Sequence, residues 1–106
     1  TPKPSSAASD VYKRQPIDLS GTILNGGSSQ LLVAANANRT KFFIMNLDPS
    51  NDLWFSPLEP AGPNQIGSVK IFANGGAISF NGDAPGTAYY IYGDVTGQKF
   101  TAWVDA

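Results

Sequence analysis

The stretch KFFIMNL, residues 41–47, decides how this chain is read. It holds one charge, no glycine and no proline, and its apolar residues fall on both parities. A β-strand sends successive side chains to opposite faces. Phe42 and Ile44 therefore share one face, and Phe43, Met45 and Leu47 the other. Asp48-Pro49-Ser50-Asn51 then stops the run with residues that favour turns.

The same grammar holds on both sides of this strand. Towards the N-terminus, residues 17–24 alternate and stop at Asn25-Gly26-Gly27, and residues 30–34 end before Asn36-Ala37-Asn38. Towards the C-terminus, Leu53-Trp54-Phe55 is cut off by Pro57, and a loop at residues 56–65 carries three prolines. Apolar runs follow at 68–72, 77–80, 87–92 and 98–104. Short runs rich in β-branched and aromatic residues, spaced roughly 8–12 residues apart, read as an all-β sandwich or barrel. Asn-Gly at 74–75 and 81–82 supplies the positive-φ residues that primed hairpin turns need. Helical periodicity is nowhere sustained without a Gly or Pro break. Most connections are too short for parallel crossovers, which predicts antiparallel pairing. The expected fold is an antiparallel β-sandwich or jelly-roll-like barrel of about seven to eight short strands.

Both faces of 41–47 are apolar, and in 87–92 Tyr89 and Ile91 oppose Tyr90 and Tyr92. A two-layer domain normally solvates one face of each sheet. Two accounts of the surplus are open: a central strand under a loop, or a subunit interface.

Composition narrows the function. The 106 residues have 42% hydrophobic and 11% aromatic content, so the chain is not disordered by composition. Charged residues make up 14%, well below the usual quarter, and such a surface suits a particle or an oligomer. The four basic residues beyond position 15, Arg39, Lys41, Lys70 and Lys99, are scattered. Nucleic-acid binding needs clustered cations, so no nucleic-acid partner is expected. No apolar run approaches the roughly 20 residues that span a bilayer as a helix, and no membrane partner is expected.

Histidine and cysteine are both absent. That removes His-based triads, thiolate nucleophiles and the usual zinc sites. Most carboxylates sit in turns, where Asp bonds the backbone. Asp48-Pro49-Ser50-Asn51-Asp52 opens like a calcium loop, but Leu53 replaces the required Gly and the distal acid is missing. No catalytic residue, cofactor or metal is expected. Trp54, Phe55, Tyr89, Tyr90, Tyr92 and Trp103 read either as core or as a sugar-stacking platform. Trp54, Tyr89, Tyr90 and Tyr92 are the candidate ligand or partner contacts.

Residues 1–15 differ from the rest. Asp10-Val11-Tyr12-Lys13-Arg14-Gln15 is what GAT-GTG-TAT-AAG-AGA-CAG encodes, a string that looks like the transposase end sequence used in sequencing libraries. On this reading residues 1–15 are a non-native tail and residues 16–106 form a single domain. Without the tail, four basic and seven acidic residues remain, a net charge of −3.

Ser29-Gln30-Leu31-Leu32-Val33-Ala34-Ala35-Asn36-Ala37-Asn38-Arg39 resembles the opening of small proteins encoded in tailed-phage and prophage structural regions. Phe43-Ile44-Met45-Asn46, Asp52-Leu53-Trp54-Phe55, the segment 67–76 with its Asn74-Gly75-Gly76, and Thr96-Gly97-Gln98-Lys99-Phe100-Thr101-Ala102 continue the likeness. The resemblance implies a non-enzymatic virion protein: a capsid decoration, head-fibre or tail-associated β-sandwich. It also implies other phage structural proteins as partners; the apolar faces and low charge predict a homo-oligomer centred on Tyr89, Tyr90 or Tyr92, for which the resemblance favours threefold symmetry. The alternative is a carbohydrate-binding module on a phage or bacterial surface protein. Arg39 is expected to pin a loop carbonyl or carboxylate, and Asn46 to fix a turn.

Overall fold

The computed structural model describes residues 16–58 and 60–105, and the tail at residues 1–15 lies outside them. Among the described residues nine strands form: β1 (Ile17–Asp18), β2 (Gly21–Thr22), β3 (Ser29–Val33), β4 (Lys41–Asn46), β5 (Leu53–Ser56), β6 (Val69–Ile71), β7 (Ala77–Asn81), β8 (Tyr89–Gly93) and β9 (Lys99–Val104). The alternating run at 17–24 splits in two. The Ser20 hydroxyl accepts from the Ala102 amide at 3.0 Å, breaking the ladder between β1 and β2.

All pairings are antiparallel. The first sheet runs β1-β9-β4-β7, with β2 also on β9; the second runs β3-β8-β5-β6. The pairings nest: β5 with β6, β4 with β7, β3 with β8, β2 with β9. The chain is one long hairpin, with residues 57–68 at its tip, rolled so that β4 also meets β9 and β5 also meets β8. That is the jelly-roll arrangement of two packed sheets.

The topology corrects one sequence expectation. Neither Asn-Gly turn joins paired neighbours: β6 and β7 lie in different sheets, as do β7 and β8. Asn74 (φ 64°) and Gly75 (φ 97°) do take the left-handed conformation, at a corner between the sheets.

The parity of 41–47 resolves as well. Phe42 and Ile44 are buried, while Phe43 and Met45 are half-buried on the outer face and Leu47 is exposed. Phe42 stacks on Phe55 at 5.2 Å and meets Tyr89 edge-on at 4.7 Å. With Ile23, Leu53, Ile71, Ile91, Phe100, Ala102 and Val104 these rings make the core between the sheets.

The two ends of the sandwich are fastened differently. At the near end lie the turns 47–52, 72–76 and 94–98. Asn46 donates to Asn51 O (2.8 Å) and Ile71 O (3.2 Å) and accepts from the Asp48 amide (3.0 Å). Gln98 donates to Asn51 O and Asp52 O, both at 3.1 Å. At the far end, Arg39 donates to Ala34 O, Pro85 O and Thr87 O, with its guanidinium 4.3 Å from the Tyr89 ring centre. Asp105 accepts from the Thr40 amide (2.9 Å), the Lys41 amide (3.0 Å) and the Thr40 hydroxyl.

Candidate interaction site

The outer face of the second sheet gathers most of the candidate residues. Register places Ser29, Tyr92, Trp54 and Lys70 in one row and Leu31, Tyr90 and Ser56 in the next. Trp54, Tyr90 and Tyr92 are half-buried there, because their neighbours Leu53, Phe55, Tyr89 and Ile91 take the inward positions. Phe72, just past β6, is 63% exposed and extends the aromatic row.

Tyr89 does not belong to this face. It is buried in the core, its ring against Phe42, Phe55 and Arg39, and its hydroxyl donates to Pro85 O at 2.6 Å. The expectation that Tyr89 contacts a ligand or partner is therefore corrected, and Phe55 leaves the platform for the same reason. Burial raises the Tyr89 phenol above its usual range, with the Arg39 guanidinium opposing.

Lys70 sits at the edge of the row. Its ammonium lies 5.0 Å from the Phe72 ring centre, 5.8 Å from that of Trp54, and 3.3 Å from the Asp52 carboxylate. The Asp52 carboxyl is lowered chiefly by the Ala73 amide, against partial burial, with Lys70 adding to the effect. Flat rings, a cation and an anion thus stand side by side on a rigid sheet. This set can stack on a planar or sugar-like surface and make directed hydrogen bonds beside it.

The tip loop crosses the β3 side of the face. Ala61 donates to Ser29 Oγ at 3.0 Å, so a loop leaving β5 has to cross β8 to reach β3. Ala61, Gly62 and Ser56 are buried by this crossing. The loop account of the surplus apolar face holds on the β8–β3 side, where the loop reaches Ser29 at the end of the Tyr92 row, and the Trp54, Lys70 and Phe72 side stays open.

The first sheet carries a second aromatic patch, and Trp103 of the expected platform lies here instead, on the opposite sheet from Trp54. Phe43 and Trp103 stack at 4.3 Å between ring centres, with interplanar angle 20°. A cleft lined by Pro16, Lys41, Trp103, Val104 and Asp105 opens beside them. The available signal was shared parity: Phe43 and Trp103 are directly opposed across β4 and β9.

The carboxylates mostly hold the backbone. Asp48 accepts from the Ser50 and Asn51 amides, both at 2.8 Å, and Asp18 from the Ser20 amide at 2.9 Å; these bonds lower both carboxyls. The 48–52 segment is a turn, and where its residues suggest a tight hairpin it instead joins β4 and β5 of different sheets. Among the described residues no three His, Cys, Asp or Glu side chains gather as metal ligands. No family model matches this chain, nor does any curated protein or solved structure.

Proposed function

We propose that the chain is a non-enzymatic structural protein of a phage particle, a capsid decoration, head-fibre or tail-associated sandwich that contacts its neighbours through the outer face of the second sheet. The carrying observation is the Trp54–Lys70 pair, continued by Phe72: an aromatic strip left open on the β5–β6 side of a sheet whose β3 side the chain's own loop crosses. The residues behind the phage resemblance support this reading, since Arg39, Asn46 and Gln98 are buried turn-holding groups of the jelly roll. Jelly rolls recur among capsid and lectin domains, which is analogy at the level of fold. Mass spectrometry of purified particles from a phage encoding this chain should find it, and Trp54→Ala should reduce its incorporation. Particles lacking the chain would overturn the reading.

The Lys70–Asp52 pair beside Trp54 favours a second reading, a carbohydrate-binding module. Glycan-array binding that disappears in Trp54→Ala and Tyr92→Ala would support it over the first.

A further inference from the structure

Among the described residues five strands stand at sheet edges, and four of them are blunted. β1 and β2 are two-residue pieces broken at Leu19-Ser20. β3 carries a register shift between Leu31 and Val33, and the Gln30 amide clamps it to the chain before it, accepting from Leu24 N (2.9 Å) and donating to Thr22 O (3.2 Å). β6 has three residues, with Lys70 in the middle. Short length, breaks, bulges and charge are the devices that stop edge strands from pairing with other chains. β7, Ala-Ile-Ser-Phe-Asn, has five residues with no charge, no proline and a continuous register on β4.

The open side of β7 also has a defined hydrogen-bonding phase. Asn46 N to Gly76 O (2.9 Å) and Gly82 N to Thr40 O (2.8 Å) bracket the β4–β7 ladder. Alternation then makes Ile44–Ile78 and Phe42–Phe80 the hydrogen-bonded pairs. The amides and carbonyls of Ala77, Ser79 and Asn81 point away from β4, and all three residues are exposed. Among the described residues β7 pairs with β4 alone.

The side chains match this phase. Ile78 and Phe80 face inward yet are only half-buried, and Val69, inward on β6 opposite Phe55, is 49% exposed. The core is therefore open along the β6–β7 seam. On the opposite side Ile23 is fully buried and the Gln30 clamp closes the gap.

We propose that Ala77–Asn81 is a self-pairing edge, through which two copies of this chain join antiparallel about a two-fold axis at Ser79. In this register Ser79 faces Ser79 of the second copy, and Ala77 faces its Asn81, so all three outward amides and carbonyls find partners. Ile78 falls opposite Phe80 of the second copy, a β-branched–aromatic cross-strand pair that covers the open seam. The outward-facing Ala, Ser and Asn side chains are small and uncharged, so nothing repels the partner strand. A two-fold, self-complementary contact closes on itself and leaves no β7 edge free. It replaces the threefold association centred on the tyrosines, and it does not depend on the phage reading.

The test uses the full chain, which has no cysteine. Light scattering at micromolar concentration should give a dimer mass. Ser79→Cys should form a disulfide-linked dimer on mild oxidation, since opposed residues of a hydrogen-bonded pair lie about 5.5 Å apart, within disulfide range. Asn81→Cys alone should not, because its copies are about 14 Å apart along the strands. Mixing Asn81→Cys with Ala77→Cys should restore the cross-link. Ser79→Lys, which sets two ammonium groups across the axis, should give a folded monomer whose melting temperature no longer rises with protein concentration, as the parent's should. A monomer or trimer mass for the parent chain would overturn the proposal. So would a dimer that survives Ser79→Lys, or cross-linking of Asn81→Cys as efficient as that of Ser79→Cys, which would indicate another register or partner strand.

Discussion

The near end of the sandwich is pinned from inside by two neutral amides, Asn46 and Gln98, and the far end by one guanidinium, Arg39. The near-end turns are short, and one amide reaches two of them. The far-end loops are longer, and only a forked side chain spans three carbonyls on two loops. Arg39 has no carboxylate partner: among the described residues the one ion pair is Lys70–Asp52. Its charge is met by carbonyl dipoles and the Tyr89 ring face, so the far end needs a residue that both carries charge and fills volume. A buried polar group costs little while its partners are in place and much once they are lost.

The largest expected effect is at the far end. Arg39→Met should destabilise by about 3 kcal/mol, because it strips three loop carbonyls of their donor and removes the cation from Tyr89. Arg39→Lys should recover less than half, since an ammonium cannot fork across three acceptors. Denaturant midpoints at constant m-value would measure both. Equal stability of Arg39→Met and the parent would mean that water replaces the guanidinium and that the two ends do not differ as described.

The near end should respond next. Asn46→Asp keeps the shape but turns two donors into acceptors facing the carbonyls of Asn51 and Ile71. A loss of about 2 kcal/mol at pH 7 is expected. The buried carboxyl should have a raised pKa, so its neutral form is tolerated below the unfolded value and the penalty grows as pH rises through the folded one. Thermal melts at pH 4 and pH 7 should show the variant closest to the parent at pH 4. A penalty independent of pH would sink this account of the amide.

The smallest effect sharpens the far end further. Burial pushes the Asp105 carboxyl up, but the Thr40 hydroxyl and the Lys41 and Thr40 amides outweigh it and hold the group at about 2, below its ordinary 3.8. A carboxyl lowered on folding contributes fully above the unfolded value, and the contribution fades as pH falls from about 4 towards 2. Discounted for its partial exposure, the contribution is about 1 kcal/mol. Asp105→Asn should lose that amount at pH 7 and flatten the acid limb of stability in that window. An unchanged acid limb would show that Asp48 and Asp52, lowered at the near end, dominate acid unfolding instead.

The sequence made the strands legible because each apolar run ends at Gly, Pro, Asn or Asp. It also pointed to Arg39 and Asn46, since a long polar side chain next to apolar runs needs partners. It did not give the inward parity. Phe42 and Phe43, or Tyr89 and Tyr90, are equivalent by composition, and alternation sorts them into two classes without saying which is inside. That choice comes from strands far along the chain: Phe55 and Tyr89 complete the cluster around Phe42, while Trp103 stacks on Phe43 outside. The Asn-Gly corners misled for a related reason. A left-handed turn fits a sheet-to-sheet corner as well as a hairpin, and local residues do not say which sheet the next strand joins. At the candidate site Trp54 was legible from its neighbours Leu53 and Phe55, whereas the contribution of Phe72 and Lys70 needed the register of β6 on β5.

The nested pairing has a kinetic consequence. Among the described residues only β5 and β6 are both paired and consecutive, and even they are separated by residues 57–68. The nested rungs outside it join segments progressively farther apart, ending with Ile17 against Val104. The loop-closure entropy of an outer rung is greatly reduced once the rung inside it has formed. Folding should therefore start near the tip loop and zip outward, with β2 and then β1 meeting β9 last. So non-local a topology belongs to the millisecond-to-second class. Until the zipper passes β4, the uncharged β7 strand lies exposed on both edges, which makes the unfinished hairpin the species most prone to aggregate.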